Sequence, residues 1–321
     1  MAHVKGRAGL GTVDQIVNYR LTGNTAADIQ PKGSPFIGFV AGIATSVVTF
    51  IIAITVAIMF TDGDATGTPH ALALIVTLIA GFGVGTYAGT TPKLNPRNIR
   101  YYRTRDNAMR QFLAAKANSS NDLSATFAER EIPLVIGGFG EMRTEEKLKR
   151  LPDTYTVFHD IACVKPNGRT SANIDHLVIG PSSAISIDTK IWGTPLQPAS
   201  HSASSAYLSY GSPYWKAIST CLYELTFLPK EPTCLVIAVG GKAGKALAST
   251  GTLRITDYIP QFDSDETTRP VPCPVPVIIV AQNDLTRVVQ AHDNAARAHG
   301  ATMPPFSVRE IEHSKKLHYD G

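Results

Sequence analysis

Residues 173–193 read Asn-Ile-Asp-His-Leu-Val-Ile-Gly-Pro-Ser-Ser-Ala-Ile-Ser-Ile-Asp-Thr-Lys-Ile-Trp-Gly, and this stretch decides the fold. Two short apolar runs flank the turn residues Gly-Pro-Ser-Ser at 180–183. Apolar runs on either side of such a breaker predict a β-hairpin. Because facing residues of a hairpin have numbers with a constant sum, this turn sets Asp175 opposite Asp188.

The predicted hairpin gathers charged groups on one face. Side chains alternate along a strand, so Ser186, Asp188 and Lys190 project to the same side. Two facing carboxylates repel each other, and a divalent cation would relieve that repulsion. Mg²⁺ favours one or two carboxylates with carbonyl and water oxygens, and the Thr189 carbonyl is a further ligand of that kind. Lys190 would then orient or deprotonate a water and neutralise charge on a phosphate.

A plainer interpretation of these residues stays open. Asp175, Asp188 and Lys190 would also suit a salt-bridged surface on an edge strand, where Lys190 pairs with one acid. His176 projects away from the acids in the same alternation, so we predict a structural role for it.

The order of these motifs resembles the NERD (nuclease-related) domain. The resemblance rests on Gly140-Glu141, the Ile-Asp-His run that begins at 174, the Ile-Asp-Thr-Lys run at 187–190, and Trp192-Gly193. It covers roughly residues 139–228 and includes the acid, then acid-x-lysine signature of restriction-endonuclease-like nucleases. It implies an α/β fold, a mixed sheet flanked by helices, and a phosphodiester hydrolase dependent on Mg²⁺ or Mn²⁺.

The resemblance also implies roles for particular residues. Asp175, Asp188 and the Thr189 carbonyl would hold the metal, and the catalytic set would be Glu141, Asp175, Asp188 and Lys190. Glu141 takes the position of an acidic residue that often faces the metal from the first helix of such folds. A helix predicted over residues 142–151 offers a simpler role, a carboxylate in the first turn that suits the helix dipole. Lys216 departs from the family pattern, which often has glutamine there, so we leave it outside the site.

Length and composition restrict the remaining possibilities. The chain has 321 residues and a net charge of +4, which is compatible with nucleic acid without indicating it. Its four cysteines show no C-x-x-C spacing, so buried thiols in a reducing compartment are expected rather than a zinc site.

Two uncharged runs, residues 36–60 and 71–90, are long enough to cross a bilayer. Basic residues flank the pair on both outer sides, whereas the connecting turn carries only acids, so the pattern predicts a cell-membrane hairpin with both termini cytoplasmic. Glycines at four-residue spacing (Gly38, Gly42, Gly81, Gly85 and Gly89) would let the two helices pack closely or make a homo-oligomer contact. A buried helical hairpin without a membrane is the alternative.

These patterns divide the chain into five parts. Residues 1–35 are predicted as an N-terminal arm, 36–91 as the transmembrane hairpin, and 92–126 as a basic juxtamembrane helix and linker. Residues 127–300 form the nuclease-related domain, and 301–321 are a solvated tail. The glycine- and lysine-rich run at 240–246 fails as a nucleotide-binding P-loop, because its glycines are one residue too close and Ala246 stands where Ser or Thr is needed.

Three functions follow from the sequence. The leading one is a membrane-anchored, cytoplasm-facing, metal-dependent nuclease that acts on nucleic acid, with DNA ahead of RNA. The second is a non-catalytic nucleic-acid-binding or scaffold protein that keeps the fold. The third is a membrane-assembly protein in which the helical hairpin is the working part. The expected partners are accordingly nucleic acid and the lipid bilayer.

Overall fold

The computed structural model describes residues 1–23, 98–117, 123–167, 170–193, 213–251, 253–255, 258–262, 268–272 and 274–318, with scattered helical residues between 41 and 84. The chain forms two compact units. One combines residues 1–16 with 114–321, and the other spans residues 17–113. The first unit contains the hairpin at 173–193.

A mixed sheet of eight strands is the centre of the first unit. Its strands run in the order β1-β2-β3-β4-β5-β9-β6, and β10 pairs with β2 outside this path. The pairs β1–β2, β4–β5 and β5–β9 are parallel, and the others are antiparallel. A separate pair, β7 and β8, is antiparallel. The strands are β1 His3–Lys5, β2 Thr156–Val164, β3 Thr170–Ile179, β4 Ala184–Trp192, β5 Cys234–Gly240, β6 Leu253–Ile255, β7 Tyr258–Phe262, β8 Thr268–Pro272, β9 Val277–Ala281 and β10 Leu317–His318.

Helices cover both faces of the sheet because its central strands are apolar on both sides. Along β5, Leu235, Ile237 and Val239 join one core, while Val236 and Ala238 join the other. Helices α4 and α5 contribute to the first core, and α3 and α6 to the second. The named helices are α1 Leu10–Thr22, α2 Ile99–Ala117, α3 Ile132–Leu148, α4 Pro213–Leu225, α5 Gly241–Thr250, α6 Leu285–Ala298 and α7 Val308–Glu312. The predicted α/β class with a mixed, helix-flanked sheet is therefore confirmed.

The central hairpin has the predicted register. Main-chain pairing runs from Ile179–Ala184 to His176–Ile187, and the Gly180 N–H donates to the Ser183 carbonyl at 2.8 Å. Asp293 of α6 holds the turn from outside the hairpin. It is fully buried, and its Oδ1 accepts hydrogen bonds from the Ser182 N–H at 2.9 Å and the Ser183 hydroxyl at 2.7 Å.

Replacing Asp293 with alanine is expected to destabilise the protein by about 2–4 kcal/mol, because two buried donors of the turn lose their acceptor. The measurement is urea unfolding followed by circular dichroism. Asp284→Ala is the matched control, since the only ion pair of Asp284 among the described residues is an exposed one with Arg287 at 3.2 Å, and a change below about 0.5 kcal/mol is expected there. Equal losses in both variants would contradict the role given to Asp293.

The structure differs from the sequence predictions at both ends of the first unit. Residues predicted as an N-terminal arm contain β1, which pairs with β2, and the start of α1. Residues predicted as a C-terminal tail contain α7 and β10, and β10 also pairs with β2. Both segments thus add to the sheet edge formed by β2. Helix α3 begins at Ile132, so Glu141 lies in its interior and not in its first turn.

The predicted membrane hairpin needs a correction. Most of residues 36–60 and 71–90, including Gly38, Gly42, Gly85 and Gly89, lie outside the described residues. A membrane span requires about 20 apolar residues in one helix. Within the part of the chain that the structure describes, no helix has the length and apolar character to cross a membrane. This finding contradicts the predicted localisation as a two-span membrane protein.

Candidate active site

Three aspartates occupy one row across β2, β3 and β4. The β2–β3 register sets Asp160 opposite Asp175, and the β3–β4 register, continued by one residue, sets Asp175 opposite Asp188. Main-chain pairing skips this row between β2 and β3 and ends just before it between β3 and β4. Asp160 has a positive φ of 54°, which is rare for a residue other than glycine. The row of like charges therefore coincides with a break in the sheet.

The Asp175 side chain replaces a main-chain acceptor at this break. Its Oδ2 accepts a hydrogen bond from the Thr189 N–H at 2.8 Å. In a continued ladder, that N–H would donate to a carbonyl of β3. Because the N–H and C=O of one strand residue point to the same side, the Thr189 carbonyl also faces β3 and the Asp175 carboxylate.

The two carboxylate oxygens of Asp188 have different surroundings. Its Oδ1 lies 2.6 Å from the Lys190 Nζ, and the residue is 6% exposed. Its Oδ2 is buried, and no donor reaches it within the described residues. The Asp175 carboxyl lies close enough to Asp188 for a hydrogen bond only when one of the two acids holds a proton. A buried carboxylate oxygen without a partner is costly, so this position suits a proton or a cation.

Glu141 of α3 joins the row as a fourth carboxylate, and Glu141 and Asp160 together hold the N-terminal segment. The Glu141 carboxylate accepts a hydrogen bond from the Gly9 N–H at 3.0 Å. Asp160 accepts from the Gly11 N–H and, at 2.9 Å, from the Asn173 amide. The first turn of α1 thus lies against these acids with its N-terminal end, which is the end favourable to negative charge.

Glu224 of α4 adds a fifth acid from the opposite side of the row. It is 6% exposed and faces β3 and β4 beside Cys221, which is 1% exposed. Its electrostatic neighbours are Asp175, Asp188 and Lys190. Four of the five carboxyl groups, all except Asp160, interact electrostatically with Lys190. Acidic groups therefore outnumber the one cation, and a bound metal ion would favour their ionised forms.

Burial and mutual repulsion disfavour ionisation of these acids. Burial, as the larger cause, and the charges of Asp175 and Asp188 raise the pKa of Glu224 to about 9. Burial also raises the pKa of Asp188 to about 7, with Lys190 opposing and Asp175 adding to the shift. The pKa of Glu141 is raised well above its ordinary value by burial and then by Asp175 and Asp160.

Asp160 and Lys190 complete the electrostatics of the site. Burial raises the pKa of Asp160 to about 6, although the hydrogen bond from Gly11 opposes this. Burial lowers the pKa of Lys190, but the charges of Asp188 and Asp175 outweigh burial and leave that pKa above its ordinary value. Lys190 is therefore a fixed positive charge, which favours neutralising or orienting roles over that of a base.

The opposite face of the same strands is a neutral polar network. His176 is fully buried there, with its Nδ1 at 2.6 Å from the His159 Nδ1 and its Nε2 at 3.1 Å from the Thr189 hydroxyl. Burial lowers the pKa of His159 to about 4 and lowers the pKa of His176 well below its usual value. His176 thus points away from the aspartates, as strand alternation predicts.

The same network fixes the position of α3. The Thr189 hydroxyl donates to the Thr144 hydroxyl at 3.0 Å, and the Gln282 amide donates to Thr144 and to the Gly140 carbonyl, each at 2.8 Å. A side chain on Gly140 would overlap Ile191, so only glycine lets α3 approach β4 this closely. This close packing places Glu141 at the row of aspartates.

The structure thus brings together the residues selected from the sequence. Asp175, Asp188, Thr189 and Lys190 are in direct contact as a group, and Glu141 is an electrostatic neighbour of Asp175 and Lys190. Within the described residues, no group of three or more His, Cys, Asp and Glu side chains forms a metal-binding cluster. The donor set predicted from the sequence does not require such a group, because it consists of two carboxylates and one carbonyl. The orphaned Asp188 Oδ2 fits that set.

Sequence reasoning missed Asp160 and Glu224. The sequence contains only a weak signal for Asp160, an aspartate in a strand. Its place beside Asp175 depends on the β2–β3 register, which was not predicted. Glu224 had a clearer signal, as an acid three residues after Cys221 on the apolar face of the helix Pro213–Leu225. An acid on such a face is unusual unless something compensates its charge.

Residues 136–215 match the family described as NERD, the nuclease-related domain. The match spans about a quarter of the chain and includes Glu141, Asp175, Asp188 and Lys190. The resemblance inferred from the sequence is therefore confirmed for this segment, which identifies it as nuclease-related. No curated protein and no solved structure matches the chain significantly.

Proposed function

We propose that this protein is a metal-dependent nuclease that hydrolyses phosphodiester bonds of nucleic acid in a restriction-endonuclease-like site. The observation that carries the proposal is the buried Asp188 carboxylate, which pairs with Lys190 through one oxygen and leaves the other without a partner beside Asp175. The match to the nuclease-related family over residues 136–215 supports the same conclusion.

Each residue of the site has a distinct task in this proposal. Asp175, Asp188 and the Thr189 carbonyl hold Mg²⁺ or Mn²⁺, which supplies Lewis-acid polarisation and a water of lowered pKa. Lys190, fixed in its charged form, orients the attacking water and neutralises charge that develops on the phosphate. Glu141 assists by accepting hydrogen bonds from water at the site.

The proposal predicts metal-dependent cleavage that depends on Lys190. The full chain should cleave plasmid or single-stranded DNA with Mg²⁺ or Mn²⁺ and lose this activity in EDTA. Lys190→Ala should lower the rate by at least about 10²-fold, because a positioned charge at the reacting phosphate is lost. Lys230→Ala, which changes an exposed lysine paired with Glu310 at 3.9 Å, is the matched control and should cleave normally. Unchanged activity in Lys190→Ala would reject the assignment.

A non-catalytic nucleic-acid-binding protein is the second candidate. Two observations favour it, namely the ion pair that occupies Lys190 and the hydrogen bond between Glu141 and Gly9. In this alternative the acids and the lysine satisfy each other and the N-terminal segment, and no metal binds. Titration calorimetry separates the two candidates, because only the nuclease should bind Mn²⁺ in a manner lost in Asp188→Asn.

A further inference from the structure

A basic cleft of about 790 Å³ lies beside the acidic site, at the carboxyl ends of β5 and β9. Its floor includes Val239 and Gly240 of β5 and Ala281 of β9. One wall comes from α3 and the other from the first turns of α5. The charged side chains that line it are Arg143, Lys147, Arg150, Lys242, Lys245 and Glu146.

The charge of this cleft is strongly one-sided. Five cations face a single carboxylate, and Glu146 already pairs with Lys116 at 3.1 Å. Within the described residues, no carboxylate lies in ion-pair distance of Lys242 or Lys245, and both side chains are exposed. A concave surface with such an excess of one charge concentrates ligands of the opposite charge. The cleft is therefore suited to an anion with several charges.

The topology of the sheet also points to a ligand at this place. Helix α5 follows β5 and packs on one face of the sheet, whereas α6 follows β9 and packs on the other. The chain thus leaves these neighbouring parallel strands in opposite directions and opens a crevice between the connections. Open α/β sheets bind ligands in such a crevice.

Two glycines set the position of α5 at one wall of the cleft. Gly241 has a φ of 70° and forms the turn into α5. A side chain on Gly244 would overlap the Val239 carbonyl, so glycine is needed for the close packing of α5 on the end of β5. The cations of α5 are therefore held at the strand end, opposite those of α3.

The cleft adjoins the candidate active site. In the parallel β4–β5 ladder, Lys190 lies beside Val239 and Ile191 beside Gly240, one strand spacing away, or about 5 Å. Helix α3 borders both sites, with Glu141 toward the aspartates and Arg143 toward the cleft. A single extended polyanion can therefore contact both.

We propose that this cleft binds phosphates of a nucleic-acid backbone next to the phosphate at the aspartates. The proposal rests on the proposed nuclease function for the identity of the polyanion. Among the described residues that line the cleft, none is aromatic, which favours phosphate contacts over stacking of a nucleotide base.

The test measures binding of the full chain to fluorescein-labelled 20-nucleotide DNA, single-stranded and duplex, in EDTA and from 50 to 200 mM KCl. Lys242→Glu with Lys245→Glu should weaken binding at least about 10-fold at 100 mM and lower the slope of log K against log salt by about 2, because two phosphate contacts are lost. Lys315→Glu with Lys316→Glu gives the same charge change on exposed lysines near β10 and should alter binding less than about 3-fold.

Several outcomes would overturn the proposal. Equal losses in the two double variants would show a general charge effect, and unchanged binding in the cleft variant would remove the site. ATP that binds the wild type but not the cleft variant, with DNA unaffected, would assign the cleft to a free nucleotide. Arg150→Glu on the opposite wall, checked by thermal unfolding, repeats the test if the first variant does not fold.

The binding test can be separated from the test of nuclease activity. Normal DNA binding through the cleft without cleavage in Mg²⁺ or Mn²⁺ would reject the nuclease and keep the cleft. Cleavage by the double cleft variant with an unchanged KM would keep the nuclease and reject the cleft.

Discussion

Asp188→Asn is expected to reduce Mg²⁺-dependent cleavage by at least about 10³-fold. Asparagine keeps the shape of the side chain but removes the charge that completes the two-carboxylate site, and the interaction of a metal with the reacting phosphate is worth several kcal/mol. The buried position of Asp188 sharpens this expectation, since its Oδ2 is shielded from solvent and the carboxyl lies next to Asp175. The measurement is single-turnover cleavage of a labelled oligonucleotide.

A second measurement separates loss of metal from loss of fold. Mn²⁺ should raise the Tm of the wild-type protein, because a ligand that binds only the folded state stabilises it. The Tm of Asp188→Asn should not respond to Mn²⁺. Asp153→Asn, an exposed aspartate in the same unit, should keep both cleavage and the Tm response. A normal Mn²⁺ response in Asp188→Asn would place the ion elsewhere.

The part of the site that the sequence predicted depends on short-range geometry. The turn at 180–183 fixes the hairpin register, and that register alone sets Asp175 opposite Asp188. Alternation along β4 then places Lys190 on the face of Asp188. A tight turn leaves little freedom between these residues, so the prediction needed no knowledge of the rest of the fold.

The missed parts depend on contacts between distant residues. Asp160 reaches the row through a β2–β3 register that shifts between Cys163 and Val164, which no residue pattern announced. The contacts of Gly9 with Glu141 and of Gly11 with Asp160 join residues more than 130 positions apart. Such contacts follow from the docking of whole elements, which local propensity does not determine.

Helix α3 shows tertiary packing overriding local preference. The sequence predicted a helix only from residue 142, after three glycines at 137–140, and glycine disfavours helix interiors. In the structure they lie inside α3, where Gly140 allows contact with Ile191 and the Gln282 amide binds its carbonyl. Gly140 therefore weakens α3 locally, but its close packing on β4 brings Glu141 to the aspartates.

Glu224→Gln is expected to remove a large pH dependence from the stability of the metal-free protein. The pKa of Glu224 is about 9 in the folded state, where burial is the main cause, and 4.5 is its ordinary value. Between these pH values the folded protein retains a proton that the unfolded chain has released. Stability therefore falls as pH rises, by about 1.4 kcal/mol per pH unit, and glutamine abolishes this contribution.

Comparing the two proteins separates Glu224 from the buried histidines. The lowered pKa values of His159 and His176 act in the opposite direction, because their contribution is present above pH 6.5 and is lost as pH falls toward 4. They are common to both proteins and cancel in the difference. The measurement is the free energy of unfolding in urea from pH 5 to 9 in EDTA. Glu231→Gln, an exposed glutamate, should run parallel to the wild type.

A bound cation should oppose the fall in stability with pH that is expected of the metal-free protein. Protons and Mn²⁺ compete for the same carboxylates, so the gain in stability on adding Mn²⁺ should be larger at pH 8 than at pH 6. If Glu224 lies next to the bound ion, Glu224→Gln should reduce the gain in stability on adding Mn²⁺. Its cleavage rate should still exceed that of Asp188→Asn. Parallel unfolding curves for Glu224→Gln and the wild type would instead show that Glu224 keeps an ordinary pKa and lies apart from the acidic row.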